Sequence, residues 1–334
     1  MNMKQWLEDI KNAENKKAMP ILSFPSVQLL DITVNQLISD SDLQAKGMEM
    51  IASKVDSLAC VSMMDLSVEA EAFGCDVVFS DDEVPTITGT LITTEEEAVD
   101  LVVPEVGSAR TGIYINAIRK AVGLINDRPV FAGVIGPFSL AGRLMDVTEA
   151  MINCYTEPKM VHIVLEKVTE FIIKYILEYK KVGANGVVMA EPLAGLLSPD
   201  LAAEFSATYV KQIVDAVQTD DFIVIYHNCG NNTIQMIDSI ISTGSSAYHF
   251  GDAIDMEEML SLIPGDIITM GNVSPSHQFK GGTAQSIKEE TKDIMTRCCK
   301  HSNFVISSGC DIPPTSSWDN IEAFFQAVDE FYSN

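Results

Sequence analysis

A histidine and two cysteines in this chain have the residue types and spacing of a zinc site with one open position. His227 and Cys229 are two residues apart, so on an extended backbone their side chains point to the same side, and Cys310 follows much later. Zinc sites that activate a substrate usually have three protein ligands, whereas structural sites have four. The alternative is that all three residues fill the core, where free cysteine is common. His249 and His277 have no partners at ligand spacing and are interpreted as ordinary polar residues.

Both parts of this candidate site directly follow a predicted strand. Residues 222–226 and 304–306 are short, continuous apolar runs bounded by acidic residues, glycines or prolines. Runs of this kind are typical of strands that are buried on both faces of a parallel sheet. We therefore expect His227, Cys229 and Cys310 at the carboxyl ends of two such strands.

The rest of the chain repeats the same pattern. Apolar runs that predict strands occur at residues 21–24, 58–62, 130–135, 186–190, 222–226, 247–250, 267–270 and 304–306. Between them, stretches such as residues 160–181 and 199–217 have apolar residues at the three- and four-residue spacing of helices. Alternating strands and helices of this number predict an α/β fold, a (β/α)8 TIM barrel with its active site at the carboxyl ends of the strands.

Length and composition favour one domain over residues 1–334. No low-complexity tract or linker rich in glycine, serine or proline interrupts the sequence. Residues 1–18 have an amphipathic pattern that predicts a helical cap. Residues 63–128, after the second strand, form a longer segment than one crossover requires. We expect this insertion to contain a hairpin, made by residues 77–79 and 86–90, and one or two extra helices.

Charge and cysteine content narrow the class of protein. The chain has 47 acidic and 22 basic side chains and a formal charge of −25. A surface of this sign repels nucleic acids and anionic membranes, so neither is an expected partner. Seven cysteines in a sequence without an apolar signal segment or a membrane-spanning run favour the cytoplasm, where thiols stay reduced.

Other polar residues also follow predicted strands and are candidate catalytic residues. Glu191 follows the strand at residues 186–190, and it is interpreted either as a fourth zinc ligand or as an acid that starts a helix or holds His227. Asp252 and Asn272 are at two later strand ends and are predicted to orient ligands or substrate.

Three residues are predicted to contact the substrate. Arg143 lies shortly after the third strand and is the basic residue best placed to bind an anionic group, although an ion pair with Asp146 is the alternative. Tyr226 and Ser274 are the other two predicted contacts. For Tyr226 the alternative is a place in the barrel core.

Taken together, these segments resemble a known group of enzymes. A barrel with His-x-Cys after one strand and Ser-Gly-Cys-Asp-Ile-Pro-Pro after the last resembles the zinc methyltransferases of the uroporphyrinogen decarboxylase superfamily. The methylcobamide:coenzyme M methyltransferases are the clearest case. The resemblance covers nearly the whole chain and is carried by residues 188–192, 197–199, 227–230, 250–252, 271–275 and 308–310.

The resemblance implies a metal, a substrate and a partner. It implies Zn²⁺ held by His227, Cys229 and Cys310, with Glu191 as the candidate fourth ligand. The methyl acceptor would be a small thiol, coenzyme M or a similar compound, bound to zinc as its thiolate, and a sulfonate on it would need Arg143. The methyl donor would be a methylated corrinoid protein, because this chain has no corrinoid-binding Asp-x-His-x-x-Gly segment.

Two alternative functions remain open from the sequence. The decarboxylase branch of the superfamily has an arginine-rich segment after the first strand that binds the propionates of its porphyrinogen, whereas residues 24–31 contain no arginine. A substrate with many carboxylates would then have unpaired charges, which speaks against decarboxylation of a tetrapyrrole. The other alternative is a corrinoid- or thiol-binding module without catalysis, and the intact ligand set favours the enzyme. A folate as methyl acceptor is not excluded.

Overall fold

The protein folds around a curled sheet of seven parallel strands, and the computed structural model describes residues 1–333. The strands are β1 (Cys60–Val61), β2 (Asp76–Val78), β3 (Thr86–Thr88), β4 (Val130–Ile135), β5 (Gly186–Ala190), β6 (Ile223–Asn228), β7 (Ala247–Phe250), β8 (Ile268–Val273) and β9 (Phe304–Ser308). The order across the large sheet is β1, β4, β5, β6, β7, β8 and β9. Strands β2 and β3 form a separate antiparallel hairpin. We call the carboxyl ends of the parallel strands the mouth.

Helices connect the strands, as the predicted alternation requires. They are α1 (Met3–Asn12), α2 (Ser26–Leu30), α3 (Val34–Ser39), α4 (Ser41–Lys54), α5 (Val68–Phe73), α6 (Glu95–Asp100), α7 (Thr111–Leu124), α8 (Pro137–Met145), α9 (Val147–Thr156), α10 (Pro158–Lys181), α11 (Pro199–Ala202), α12 (Thr208–Val217), α13 (Ile237–Ser242), α14 (Met256–Leu262), α15 (Ala284–Cys298) and α16 (Trp318–Ser333). A π-helical turn, Ala203–Ala207, joins α11 to α12. None of the helices in residues 1–333 has the length and apolar character that crossing a membrane requires.

An irregular segment takes the place of the strand predicted at residues 21–24. Residues 18–22 lie between β9 and β1. The N–H of Met19 donates to a carbonyl of β9 at 3.0 Å, and the carbonyl of Ala18 accepts from a backbone N–H just before β1 at 2.8 Å. Pro20 has no N–H with which to continue a ladder. The barrel therefore closes with seven regular strands and one irregular segment.

The interior of the barrel is an apolar core, separate from the layer between strands and helices. Alternate strand residues point inward, among them Val188 of β5, Ile225 of β6 and Ile268 of β8. Helix α1 covers the end opposite the mouth, where the ring of Trp6 lies 5.7 Å from that of Phe131 at the start of β4. The structure thus contains the predicted helical cap, shortened to ten residues.

The long connection between β1 and β4 contains the predicted hairpin and two extra helices. Strands β2 and β3 form the hairpin, and α5 and α6 are the extra helices, whereas α7 packs against α4 and leads into β4. Beyond β2, Glu83 in the hairpin turn lies 3.6 Å from Nζ of Lys280, which follows β8. The hairpin turn is therefore at the rim of the mouth.

Candidate metal centre

His227, Cys229 and Cys310 come together at the mouth of the barrel. Their candidate ligand atoms, one nitrogen and two sulfurs, all lie within 4.8 Å of one another. His227 is the second-to-last residue of β6, Cys229 directly follows that strand, and Cys310 is on the loop after β9. His227 is buried and both cysteines are half-buried. The group therefore lies at the boundary between the barrel core and the mouth.

The donor set and its environment fit a zinc ion. Nδ1 of His227 is 2.8 Å from Nδ1 of His249, whereas Nε2 of His227 is buried and makes no hydrogen bond of normal geometry in residues 1–333, with the thiol of Cys310 as its neighbour in the ligand group. A buried ring nitrogen without a partner is costly unless another ligand satisfies it. One imidazole and two thiolates suit zinc, whereas Mg²⁺ and Ca²⁺ take oxygen ligands. Three protein ligands leave one position for a substrate.

The two cysteines share a hydrogen bond that perturbs both thiols. This bond lowers the pKa of Cys229, whereas burial and the nearby carboxylate of Asp252 raise it to a smaller extent. The same bond, together with burial, raises the pKa of Cys310. Thiols must lose their protons to bind a metal, so Cys229 and Cys310 would hold a metal as two thiolates and would release the protons that their sulfurs carry.

The carboxylate of Glu191 lies at the start of a helix and not in the metal group. Its two oxygens accept the backbone N–H of Phe138 at 2.8 Å and of Ser139 at 3.0 Å, in the first turn of α8. The hydroxyl of Ser206 donates to the same carboxylate at 2.9 Å. Burial raises the pKa of Glu191, and these bonds act in the opposite direction. The structure therefore does not support Glu191 as a fourth zinc ligand, and the alternative of a helix-start acid describes its contacts.

We expect Glu191→Gln to destabilise the protein without affecting the metal group. An amide has one acceptor oxygen in place of two, so one buried N–H at the start of α8 loses its partner, at a cost of about 2 kcal/mol. Denaturant unfolding should show this loss while the zinc content stays unchanged. The control is Glu204→Gln, at an exposed carboxylate near Ser206, which should change the stability by less than about 0.5 kcal/mol. Loss of zinc from Glu191→Gln at unchanged stability would instead make Glu191 a ligand.

Tyr226 points away from the metal group. Successive strand residues point to opposite faces, so Tyr226 faces the helices because its neighbour His227 faces the barrel interior. Tyr226 is 2% exposed, its ring lies 6.2 Å from that of Tyr248, and its hydroxyl accepts from Asn228 at 3.2 Å. The prediction of a substrate contact at Tyr226 does not hold, and the alternative of a core residue describes its position.

Asp252, Asn272 and Ser274 line a cavity of about 470 Å³ beside the mouth. Nδ2 of Asn272 donates to two carbonyls of the loop at residues 251–254, at 3.0 and 2.6 Å, so Asn272 holds this loop after β7. Asp252 is on the same loop, is exposed, and lies close enough to Cys229 for its charge to raise the pKa of that thiol. The catalytic role of Asp252 and Asn272 and the substrate contact of Ser274 stay predictions.

Arg143 is a half-buried cation without a partner. Within residues 1–333 its guanidinium makes no hydrogen bond or ion pair, and its Nε is buried. Burial lowers the pKa of its guanidinium, and the nearby carboxylate of Asp65 acts in the opposite direction. Asp146, the alternative partner, instead accepts the backbone N–H bonds of Thr148 and Glu149 at the start of α9. Arg143 is thus available to an anionic ligand.

A buried polar network that the sequence analysis missed occupies the region after β1. Nη1 of Arg110 donates to Asp65 at 2.5 Å, and the hydroxyl of Tyr114 donates to the same carboxylate at 2.7 Å. Nε of Arg110 donates to Glu71 at 2.6 Å. The two partners of each bond are 39 to 49 residues apart, so the sequence carries no local signal for their contact. The network pairs the guanidinium of Arg110 with carboxylates. The guanidinium of Arg143, which lies near Asp65, has no such partner in residues 1–333.

His249 and Ser307 have no predicted role, yet they hold the candidate metal ligand His227. Nε2 of His249 lies 2.7 Å from Oγ of Ser307, and the rings of His249 and His227 are 4.8 Å apart. Burial, followed by the proximity of His227, lowers the pKa of His249 well below its usual value. A sequence signal does exist: both histidines follow a tyrosine near the end of a predicted strand, and the two strands pair with His227 opposite His249.

Comparisons with known proteins agree with this fold. The family described as Uroporphyrinogen decarboxylase (URO-D) matches residues 27–331. A uroporphyrinogen decarboxylase from Chlorobium luteolum is 28% identical over 284 residues, which cover 81% of this chain and 79% of that protein. The methylcobamide:CoM methyltransferase MtbA from Methanosarcina acetivorans is 24% identical over 276 residues, which cover 80% of this chain and 78% of that protein.

Among solved structures, a methyltransferase from Methanosarcina mazei has a TM-score of 0.87 to this chain at 22% identity. The match covers 99% of this chain and 98% of that one. This similarity confirms the predicted TIM-barrel fold.

Proposed function

Since the chain belongs to the uroporphyrinogen decarboxylase family, we propose that it uses this barrel as a zinc-dependent methyltransferase. The methyl group would pass from a methylated corrinoid protein to a small thiol. The observation that carries the proposal is the group of His227, Cys229 and Cys310, with its donor atoms within 4.8 Å at the mouth. The proposal is also supported by the relative from Methanosarcina acetivorans, which is named a methylcobamide:CoM methyltransferase.

The composition of the ligand set suits the activation of a thiol. Zinc at this position would deprotonate an incoming thiol, of which only about 3% is thiolate at pH 7 when its pKa is about 8.5. Cys229 and Cys310 as thiolates, with neutral His227, balance the two charges of the ion. A substrate thiolate added to this set would therefore keep a net negative charge and its nucleophilic character.

The anionic end of the acceptor is proposed to bind Arg143. This guanidinium is half-buried and free of acidic partners, and burial strengthens its attraction for an anion. A thiol with an acidic group, such as coenzyme M, would satisfy both Arg143 and the metal group. We propose this class of acceptor over an uncharged thiol or a folate.

The methyl donor is proposed to be a separate protein. The chain has no corrinoid-binding motif of its own, so the corrinoid has to be brought to the mouth by a partner. The methyl carbon must come within about 3 to 3.5 Å of the acceptor sulfur, in line with cobalt. The partner must also leave to be remethylated, which favours a transient interface of modest area.

Decarboxylation of a tetrapyrrole is the second candidate, because several relatives are named uroporphyrinogen decarboxylase. That substrate needs several cations for its carboxylates. Arg110 is held by Asp65 and Glu71, and residues 24–31 contain no arginine. Arg143 alone cannot balance such a substrate, so we favour methyl transfer.

We expect protein purified without chelator to contain about one zinc per chain and to demethylate a methylated corrinoid protein when a thiol is present. Chelation should abolish transfer, and added zinc should restore it. Free methylcobalamin should be a much poorer donor, because nothing orients it over the mouth. The measurements are elemental analysis and transfer assays with a panel of thiols, with uroporphyrinogen as a parallel substrate.

Each alternative has its own outcome in these assays. Zinc-free protein that still demethylates the donor would contradict the role of the metal. Release of carbon dioxide from uroporphyrinogen would favour a decarboxylase. Binding of zinc and thiol without turnover, with every donor tested, would favour a binding module.

A further inference from the structure

A chain of hydrogen bonds runs from the irregular segment of the barrel to the candidate metal group. Oγ of Ser307 on β9 lies 2.7 Å from the carbonyl oxygen of Met19 and 2.7 Å from Nε2 of His249 on β7. Nδ1 of His249 lies 2.8 Å from Nδ1 of His227 on β6. The three side chains are each at most 2% exposed, so water does not compete for these bonds.

The carbonyl of Met19 fixes the direction of every bond in this chain. A carbonyl only accepts, so Ser307 donates its single hydroxyl proton to it. Oγ of Ser307 therefore accepts from Nε2–H of His249, and no carboxylate in residues 1–333 contacts His249 to hold a second proton on its ring. Nδ1 of His249 then carries no proton and accepts one from Nδ1–H of His227. The unprotonated nitrogen of His227 is then Nε2, which makes no hydrogen bond of normal geometry in residues 1–333 and has the thiol of Cys310 beside it.

The position of each group follows from the fold. His227 and His249 are direct partners in the register of β6 and β7, which places both rings in the barrel interior at the same level. Because residues 18–22 do not pair as a regular strand, no backbone N–H in residues 1–333 donates to the Met19 carbonyl, and it is free to accept from Ser307.

We propose that His249 and Ser307 are positioning residues that hold His227 in its Nδ1–H tautomer and direct its Nε2 to the metal. This inference deepens the proposed function and rests on its metal site. It assigns roles to two residues that are not in the ligand group. Hydrogen-bond partners of a ligating histidine commonly contribute ten- to a hundredfold to metal affinity.

Zinc affinity in a matched set of variants tests the proposal. We expect Ser307→Ala to weaken zinc binding about ten- to a hundredfold, measured by competition with a chelator. Without Ser307 the His249 proton can move to Nδ1, which forces the His227 proton onto Nε2. His249→Leu should have a similar effect, and His249→Asn should recover much of the affinity because its amide oxygen can accept from His227.

Ser308 provides the control for packing and for the barrel closure. It is as buried as Ser307 and its Oγ accepts from the N–H of Ile21 at 3.0 Å, so it also contacts the irregular segment, but it lies outside the chain of bonds. Ser308→Ala should therefore bind zinc like the unmodified protein. Equal zinc affinity of Ser307→Ala and Ser308→Ala would overturn the proposal.

A direct measurement of the tautomer separates this proposal from the proposed function. Nitrogen-15 spectra of histidine-labelled full-length protein, after chelation, should show His227 protonated at Nδ1 and bare at Nε2. A proton on Nε2 of His227 would overturn the proposal even in a protein that binds zinc and transfers methyl groups. Failure of the unmodified protein to bind zinc would overturn the proposed function, and the same spectra would still decide the tautomer.

Discussion

Cys310→Ala should remove zinc and reduce methyl transfer by at least about a thousandfold. Of the three donors that lie within 4.8 Å of one another, only His227 and Cys229 would remain to hold the metal. The acceptor thiol would then stay about 97% protonated at pH 7, and it would lose its fixed position opposite the donor. Elemental analysis and single-turnover transfer from the methylated corrinoid protein are the measurements.

The same variant should remain folded. Cys310 is half-buried on a loop after β9, outside the apolar core of the barrel interior. We expect its melting temperature to fall by less than about 5 °C. Cys299→Ala is the control, since Cys299 is also half-buried, lies outside the ligand group and has a sulfur 3.7 Å from the hydroxyl oxygen of Tyr332. Unfolding of Cys310→Ala, with Cys299→Ala stable, would make the metal a structural element and would contradict its catalytic role.

The sequence predicts that His227, Cys229 and Cys310 come together, because each has a local signal. The spacing of His227 and Cys229 decides which side of the strand they share, and the glycine and prolines around Cys310 mark the end of β9. The same two-residue period also predicts that Tyr226 points away from His227. His227 and Tyr226 therefore lie on opposite faces of β6.

Other features depend on partners that are distant in the sequence. The contacts of Glu191 with Phe138 and Ser139 require α8 to begin beside the end of β5, and no local pattern encodes this. The irregular segment at residues 18–22 has apolar residues like those of a strand, and only its pairing with β9 shows the effect of Pro20. Sequence patterns therefore identify the elements and their faces, whereas long-range hydrogen bonds decide what the polar side chains do.

The absence of a partner for Arg143 is also a property of the folded protein. The sequence leaves open whether this arginine pairs with Asp146. In the structure, the carboxylate of Asp146 accepts backbone N–H bonds at the start of α9 instead. Asp65 is near Arg143, but its carboxylate already accepts from Arg110 and Tyr114. A half-buried guanidinium that its own protein does not satisfy has a strong preference for an added anion.

Arg143→Met should therefore raise the KM for an anionic thiol such as coenzyme M by about 10- to 100-fold, the equivalent of one charge-assisted hydrogen bond. The kcat at saturation and the zinc content should change little, because the metal group is separate. Arg143→Lys should recover part of the loss, since it keeps the charge without the planar fork. Arg119→Met, at an exposed arginine whose guanidinium donates to Asn116, is the control. The decisive comparison is 2-mercaptoethanol, which has no anionic group: an equal loss with this thiol would show that Arg143 supports the fold of the mouth and does not bind the acceptor.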